Sequence, residues 1–123
     1  MSKRLLITDD AMIIREMIKD TVEAAGWEVV GQATNGQEAV EKFAELQPDA
    51  MTLDMVMPQY DGLHALQNIR KDFPDAQILM VSALDQTEVL KQALKCGATD
   101  FIVKPFDKIQ LVNALEKMVA SSV

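Results

Sequence analysis

A chain of 123 residues, 49% hydrophobic and 25% charged with five Gly and four Pro, is the size of one domain and needs neither disulfide nor structural metal to bury a core. Twelve Lys and Arg against nineteen Asp and Glu leave a net charge of −7, a balance that repels nucleic-acid phosphates and anionic lipid. One cysteine (Cys96) and one histidine (His64) exclude an internal disulfide and any Cys/His metal spacing, and the first apolar run stops too early for a signal peptide or membrane span, so a cytoplasmic protein without membrane insertion is expected.

The first apolar run, RLLIT (4–8), reads as a strand and ends on two carboxylates, Asp9 and Asp10. Helical spacing follows in Ile14, Met17 and Ile18, Thr21 and Val22, and Ala25, closed by Gly26. WEVVGQA (27–33) is the second strand, with Trp27 at the core edge. TNGQ (34–37) is a turn into a helix marked by Ala39, Val40, Phe43 and Leu46 and stopped at Pro48. DAMTLDM (49–55) is the third strand and ends near Asp54; Leu63, Leu66 and Ile69 mark a third helix up to Pro74, with His64 solvated on it. AQILMVSA (76–83) is the fourth strand and reaches Ser82. Val89, Leu90, Ala93 and Leu94 mark the fourth helix, and KCGATD (95–100) is its stop, with Cys96 a small buried residue beside Gly97. DFIVK (100–104) is the fifth strand, and a last helix carries Leu111, Val112, Leu115, Met118 and Val119.

Five Val-, Ile- and Leu-rich strands alternating with five helices predict right-handed crossovers and a parallel sheet covered on both faces, an α/β fold in a single domain over residues 1–123. In such sheets ligands bind outside the carboxyl ends of the strands. Asp9, Asp10, Asp54, Ser82 and Lys104 all fall at those ends. Three carboxylates on one rim raise one another's pKa unless a hard cation collects them, and Mg2+, which takes oxygen ligands and keeps several waters, is the natural candidate. With the cation in place, Lys104 and Ser82 suit the pocket to a phosphoryl group. Phosphoryl transfer needs positioning and charge neutralisation, so Asp54, standing alone at its strand end, can act as nucleophile without a general base.

These residues, in this order, resemble the receiver domain of bacterial two-component response regulators, most closely its stand-alone chemotaxis members. The resemblance covers essentially the whole chain and rests on LLITDD, LDMVMPQYDGL, VSA and KPF. It implies a (βα)5, flavodoxin-like fold with strand order 2-1-3-4-5. It also implies that Asp54 accepts a phosphoryl group from a histidine kinase's phosphohistidine, with Mg2+ held by Asp10, by Asp9 directly or through water, by Asp54, and by the backbone carbonyl of Val56. Lys104 would pair with phosphoryl oxygens. Ser82 would hydrogen-bond the phosphoryl group and draw its loop inward, Phe101 would be the aromatic switch, and Pro105 would follow a cis peptide bond. The implied partners are the kinase, a downstream target such as the flagellar motor switch, and a phosphatase, with the chain itself monomeric. It would be a signalling receiver and not an enzyme in the ordinary sense, catalysing only its own phosphotransfer and dephosphorylation. The chain's extent favours a stand-alone protein; a phosphorelay intermediate or a receiver module of a transcriptional regulator is the alternative.

The sequence departs from the family's commonest pattern at Thr8, where Val is usual, at Met55, and at Phe101, which lacks the hydroxyl of Tyr. Val56 and Leu84 are apolar where fast self-dephosphorylating members tend to be polar, so a long-lived phosphoryl state is expected. Plainer roles stand beside these. The Asp pair suits a solvated strand end, Ser82 a cap for the fourth helix, Lys104 a surface cation and Phe101 a core side chain. Two other functions fit the architecture less well. A flavin site is opposed by the acidic loop TDDAM, and an aspartate-nucleophile phosphatase is opposed by Val56, where such enzymes place a second acid.

Overall fold

The protein's structure, a computed structural model, describes residues 3–55, 57, 62–83 and 87–120, residue 87 by its backbone alone. The strands are β1 (Arg4–Thr8), β2 (Glu28–Ala33), β3 (Ala50–Asp54), β4 (Ile78–Ala83) and β5 (Asp100–Lys104). The helices are α1 (Met12–Ala24), α2 (Gly36–Leu46), α3 (Gly62–Asp72), α4 (Thr87–Lys95) and α5 (Lys108–Ala120). All strand pairs are parallel, and the sheet order is β2-β1-β3-β4-β5, the flavodoxin-like arrangement. Among the described residues no helix is long and apolar enough to cross a membrane.

Successive side chains of a strand point to opposite faces, so each central strand feeds two cores. Leu6, Met51, Leu53, Ile78 and Met80 pack with Ala39 and Phe43 of α2, Leu66 and Ile69 of α3, and Leu90 and Ala93 of α4. Leu5, Ile7, Ala50 and Leu79 pack on the other face with Ile18 and Val22 of α1 and Leu111, Leu115 and Met118 of α5. Burying each such side chain contributes about 1.5–3 kcal/mol, which is why the interior positions of these strands carry no charge.

The helix stops work as their residues suggest. Gly26 and Gly97 take positive φ (95° and 105°), and the N–H groups of Trp27 and Ala98 bond back to the carbonyls of Val22 and Ala93, each at 3.0 Å. Gln47 supplies the left-handed cap of α2 ahead of Pro48. TNGQ is more than a turn. Asn35 accepts the Glu38 N–H at 2.9 Å, and the Glu38 carboxylate accepts the Thr34 N–H and hydroxyl at 2.7 and 2.5 Å, so α2 opens on a capping box set one residue early. Two large apolar side chains of the helical pattern turn outward: Met17 and Leu94 are exposed because the stripes facing the sheet are filled by Ile18 and Leu90. Trp27 is buried against the α1/α5 core, with the strand starting one residue later, and His64 is half-buried where solvation was expected.

Candidate functional site

In this strand order β1 has β2 on one side and β3 on the other, and the crevice opens where the chain's progress across the sheet reverses. Thr8 lies opposite Leu53, so the next residues, Asp9 and Asp54, leave the sheet side by side. Asp54 lies opposite Val81 and Ala83 opposite Lys104, which brings Ser82 and Lys104 to the same rim. The register thus assembles four residues from four strands, and Asp10 follows Asp9 in the chain.

One carboxylate oxygen from each of Asp9, Asp10 and Asp54 lies within 4.8 Å of the others. Asp9 and Asp54 are buried and Asp10 is exposed. The Lys104 ammonium reaches across from β5 to Asp9 Oδ2 at 3.0 Å and Asp54 Oδ1 at 3.6 Å. Asp9 is held at every polar atom. Its Oδ1 accepts the Ala11 N–H at 2.9 Å, its N–H donates to Ala33 at 3.1 Å, and its carbonyl accepts from Arg15 at 2.9 Å. Burial disfavours the charge on Lys104, but the hydrogen bond to Asp9 and the charges of Asp54 and Asp9 outweigh it, leaving the amine's pKa above its ordinary value.

Three carboxylates against one ammonium leave two negative charges in a half-buried cluster built only of hard oxygen donors. A divalent, oxygen-seeking cation matches that remainder, and the residues present fit Mg2+.

Ser82 is fully buried within β4, and its hydroxyl donates to the Ala83 carbonyl at 3.2 Å. It cannot be a cap for α4, which begins five residues later. Phe101 is 38% exposed, so core packing is not its role; its neighbour Ile102 points the other way, onto the α1/α5 core. The Lys104–Pro105 peptide is cis. Val56 and Leu84 lie outside the described residues. Met55 and Met57, on either side of Val56, are both buried.

The sequence reading passed over Gly62. A Cβ there would stand 2.2 Å from the Asp54 carbonyl oxygen and 2.9 Å from Met55 Cα, while the Gly62 N–H bonds to the Met55 carbonyl at 3.1 Å. The start of α3 therefore lies directly on the backbone that carries Asp54, and only glycine permits that approach. A glycine at the opening of a helix, after Asp61, was the available signal.

An acidic cluster faced by a lysine at the carboxyl edge of a 2-1-3-4-5 parallel sheet defines a signalling receiver. The chain belongs to the response regulator receiver domain family, whose model matches residues 5–116. It is 50% identical to the chemotaxis protein CheY of Thermotoga maritima over 96% of this chain and 98% of that protein. Identity to CheY of Bacillus subtilis is 45%, over 95% and 98%. Among solved structures it resembles the response regulator domain of Thermotoga maritima CheB, with a TM-score of 0.89, 34% identity and 98% of each chain covered. It also resembles a chain of the CheX-CheY-BeF3-Mg+2 complex from Borrelia burgdorferi, with a TM-score of 0.89 and 32% identity over 94% of this chain and 87% of that one.

Proposed function

We propose that residues 1–123 form one receiver domain that is phosphorylated on Asp54 by a histidine kinase and, once phosphorylated, changes its affinity for a downstream protein of the chemotaxis system. The observation that carries this reading is the gathering of three carboxylates within 4.8 Å of one another, two of them paired with Lys104.

A carboxylate oxygen of Asp54 attacks the phosphorus of the donor phosphohistidine in line with the leaving nitrogen. The P–O bond forms as the P–N bond breaks, and the departing imidazole takes a proton from solvent. Asp9, Asp10 and Asp54, with the Val56 carbonyl that the family pattern assigns, would hold Mg2+, which when bound offsets the charge of the phosphoryl oxygens. Lys104 supplies a second positive charge at the same oxygens, and the Ser82 hydroxyl exchanges its local carbonyl for a phosphoryl oxygen. That exchange draws the end of β4 toward the phosphoryl group and lets Phe101 leave the surface. The altered α4-β5-α5 face, around Lys91, Lys95, Phe101 and Lys108, is the partner surface. The flagellar motor switch is the proposed target, a phosphatase a further partner, and the cytoplasm the compartment, with the chain acting as a monomer.

Incubation with acetyl phosphate and Mg2+ followed by intact mass tests the reading. One phosphoryl addition is expected, and none in Asp54→Asn or after chelation; an unchanged wild-type mass overturns it. Binding of a motor-switch peptide by the phosphorylated form alone separates the chemotaxis role from a phosphorelay step.

A further inference from the structure

Asp10 is the exposed member of the acidic cluster, and among the described residues its carboxylate takes neither hydrogen bond nor ion pair. Its position therefore depends on the backbone that carries it. The peptide joining Asp9 to Asp10 presents one carbonyl, that of Asp9, and this carbonyl accepts from Arg15 Nη1 at 2.9 Å. From the same half-buried guanidinium, Nε donates to Gln32 Oε1 at 2.9 Å. Gln32 belongs to the edge strand β2, opposite Ile7, and its own carbonyl is bonded by the Lys42 ammonium from α2. Next to it, the Ala33 carbonyl accepts the Asp9 N–H. The planar fork thus spans a fixed distance between the anchored carboxyl end of β2 and the peptide that turns out of β1.

We propose that Arg15 is a positioning residue for the metal site: by clamping the Asp9–Asp10 peptide to β2 it sets where the Asp10 carboxylate meets a divalent cation. The role rests on the Mg2+ site of the proposed function. Charge alone cannot be the reason for an arginine here. A guanidinium beside an acidic cluster opposes a cation, so by charge its removal tightens metal binding, whereas by position its removal loosens it. The two readings differ in sign. Lysine keeps the charge but has no rigid fork to join Gln32 and the Asp9 carbonyl at once.

The test titrates Mg2+ alone into the full chain by calorimetry, without phosphodonor, for the wild type, Arg15→Lys, Arg15→Met and Gln32→Leu, each first shown to melt cooperatively in EDTA. Arg15→Lys is expected to weaken Mg2+ about tenfold, the scale on which groups that orient a metal's ligands act. Arg15→Met weakens it by less, because the lost charge offsets part of the lost geometry. Gln32→Leu, which keeps Arg15 and the acidic residues, weakens it in the same direction and by a smaller factor than Arg15→Lys. An unchanged affinity in Arg15→Lys, or a tighter one in Arg15→Met, overturns the positioning role while leaving the site intact. A wild type that takes up no Mg2+ overturns the site itself, and the role of Arg15 with it.

Discussion

The Lys104 ammonium lies nearer to Asp9, at 3.0 Å, than to Asp54, at 3.6 Å. Without a phosphoryl group the lysine is thus chiefly the counter-ion of a buried carboxylate of β1, and only secondarily of the phosphoacceptor. Lys104→Met would leave Asp9 buried with no ammonium. The expected loss of stability is about 2 kcal/mol, below the ~3–5 kcal/mol of a fully enclosed pair because the lysine side chain is 26% exposed and screened by solvent. Urea denaturation with and without Mg2+ measures it. The cation should restore more stability to the variant than it adds to the wild type, and equal increments would contradict the pairing.

Gly62→Ala places a methyl group 2.2 Å from the Asp54 carbonyl oxygen, a separation that backbone atoms do not accept. Either α3 or the end of β3 must shift. Overpacking of this kind costs about 1–3 kcal/mol or more, and because the shifted backbone carries Asp54, phosphoryl uptake should slow as well. Denaturation midpoint and initial phosphorylation rate, measured on the same sample, report the two effects. A variant with wild-type stability would show that the helix start has room to give.

Arg70 acts at the opposite end of the sheet. Its Nη1 donates to the carbonyls of Pro74 and Ala76, both at 2.7 Å, and its Nη2 to Gly97 at 2.6 Å, joining the end of α3, the approach to β4 and the stop of α4. Burial lowers the guanidinium's pKa, opposed by Asp75, yet it stays charged at any working pH. Arg70→Met should cost about 2–4 kcal/mol, since hydrogen bonds to a charged group contribute about 1.5–3 kcal/mol each and do not add fully. Hydrogen exchange should quicken at Ala98 and along the last turn of α4. Unchanged protection there would dissociate Arg70 from that helix.

Glu38 gives a pH signature. Hydrogen bonds from the Thr34 hydroxyl and N–H, aided by Lys42 and Arg15, hold its carboxyl below the ordinary value of 4.5. The group therefore adds stability that is complete above the unfolded value and is lost as pH falls from 4.5 through the folded value. Glu38→Gln should flatten that part of the acid limb of a stability–pH curve and leave the curve's shape above pH 6 unchanged (roughly where carboxylates have finished titrating). A steeper acid limb in the variant would reverse the assignment.

The opening run LLITDD shows what sequence by itself determined. Apolar residues cannot be followed by paired charge inside a core, so the strand had to end at Asp9, and the same reasoning placed Asp54, Ser82 and Lys104 at strand ends. Strand boundaries read from composition fall within a residue or two of those observed, as at Trp27 against Glu28, because the central strands β1, β3 and β4 are buried on both faces and are mostly apolar. That same property hides which face is which. Leu5, Leu6 and Ile7 look alike in the sequence, and only the packed helices send Leu6 toward α2, α3 and α4 and its neighbours toward α1 and α5. Tertiary structure also decided the partners of the cations. Lys104 chooses Asp9 over Asp54 by the register of strands ninety-odd residues apart in the chain. Arg15 and Arg70 bond to main-chain carbonyls, which every residue carries, so no side-chain pattern could mark their acceptors before the fold brought them within reach.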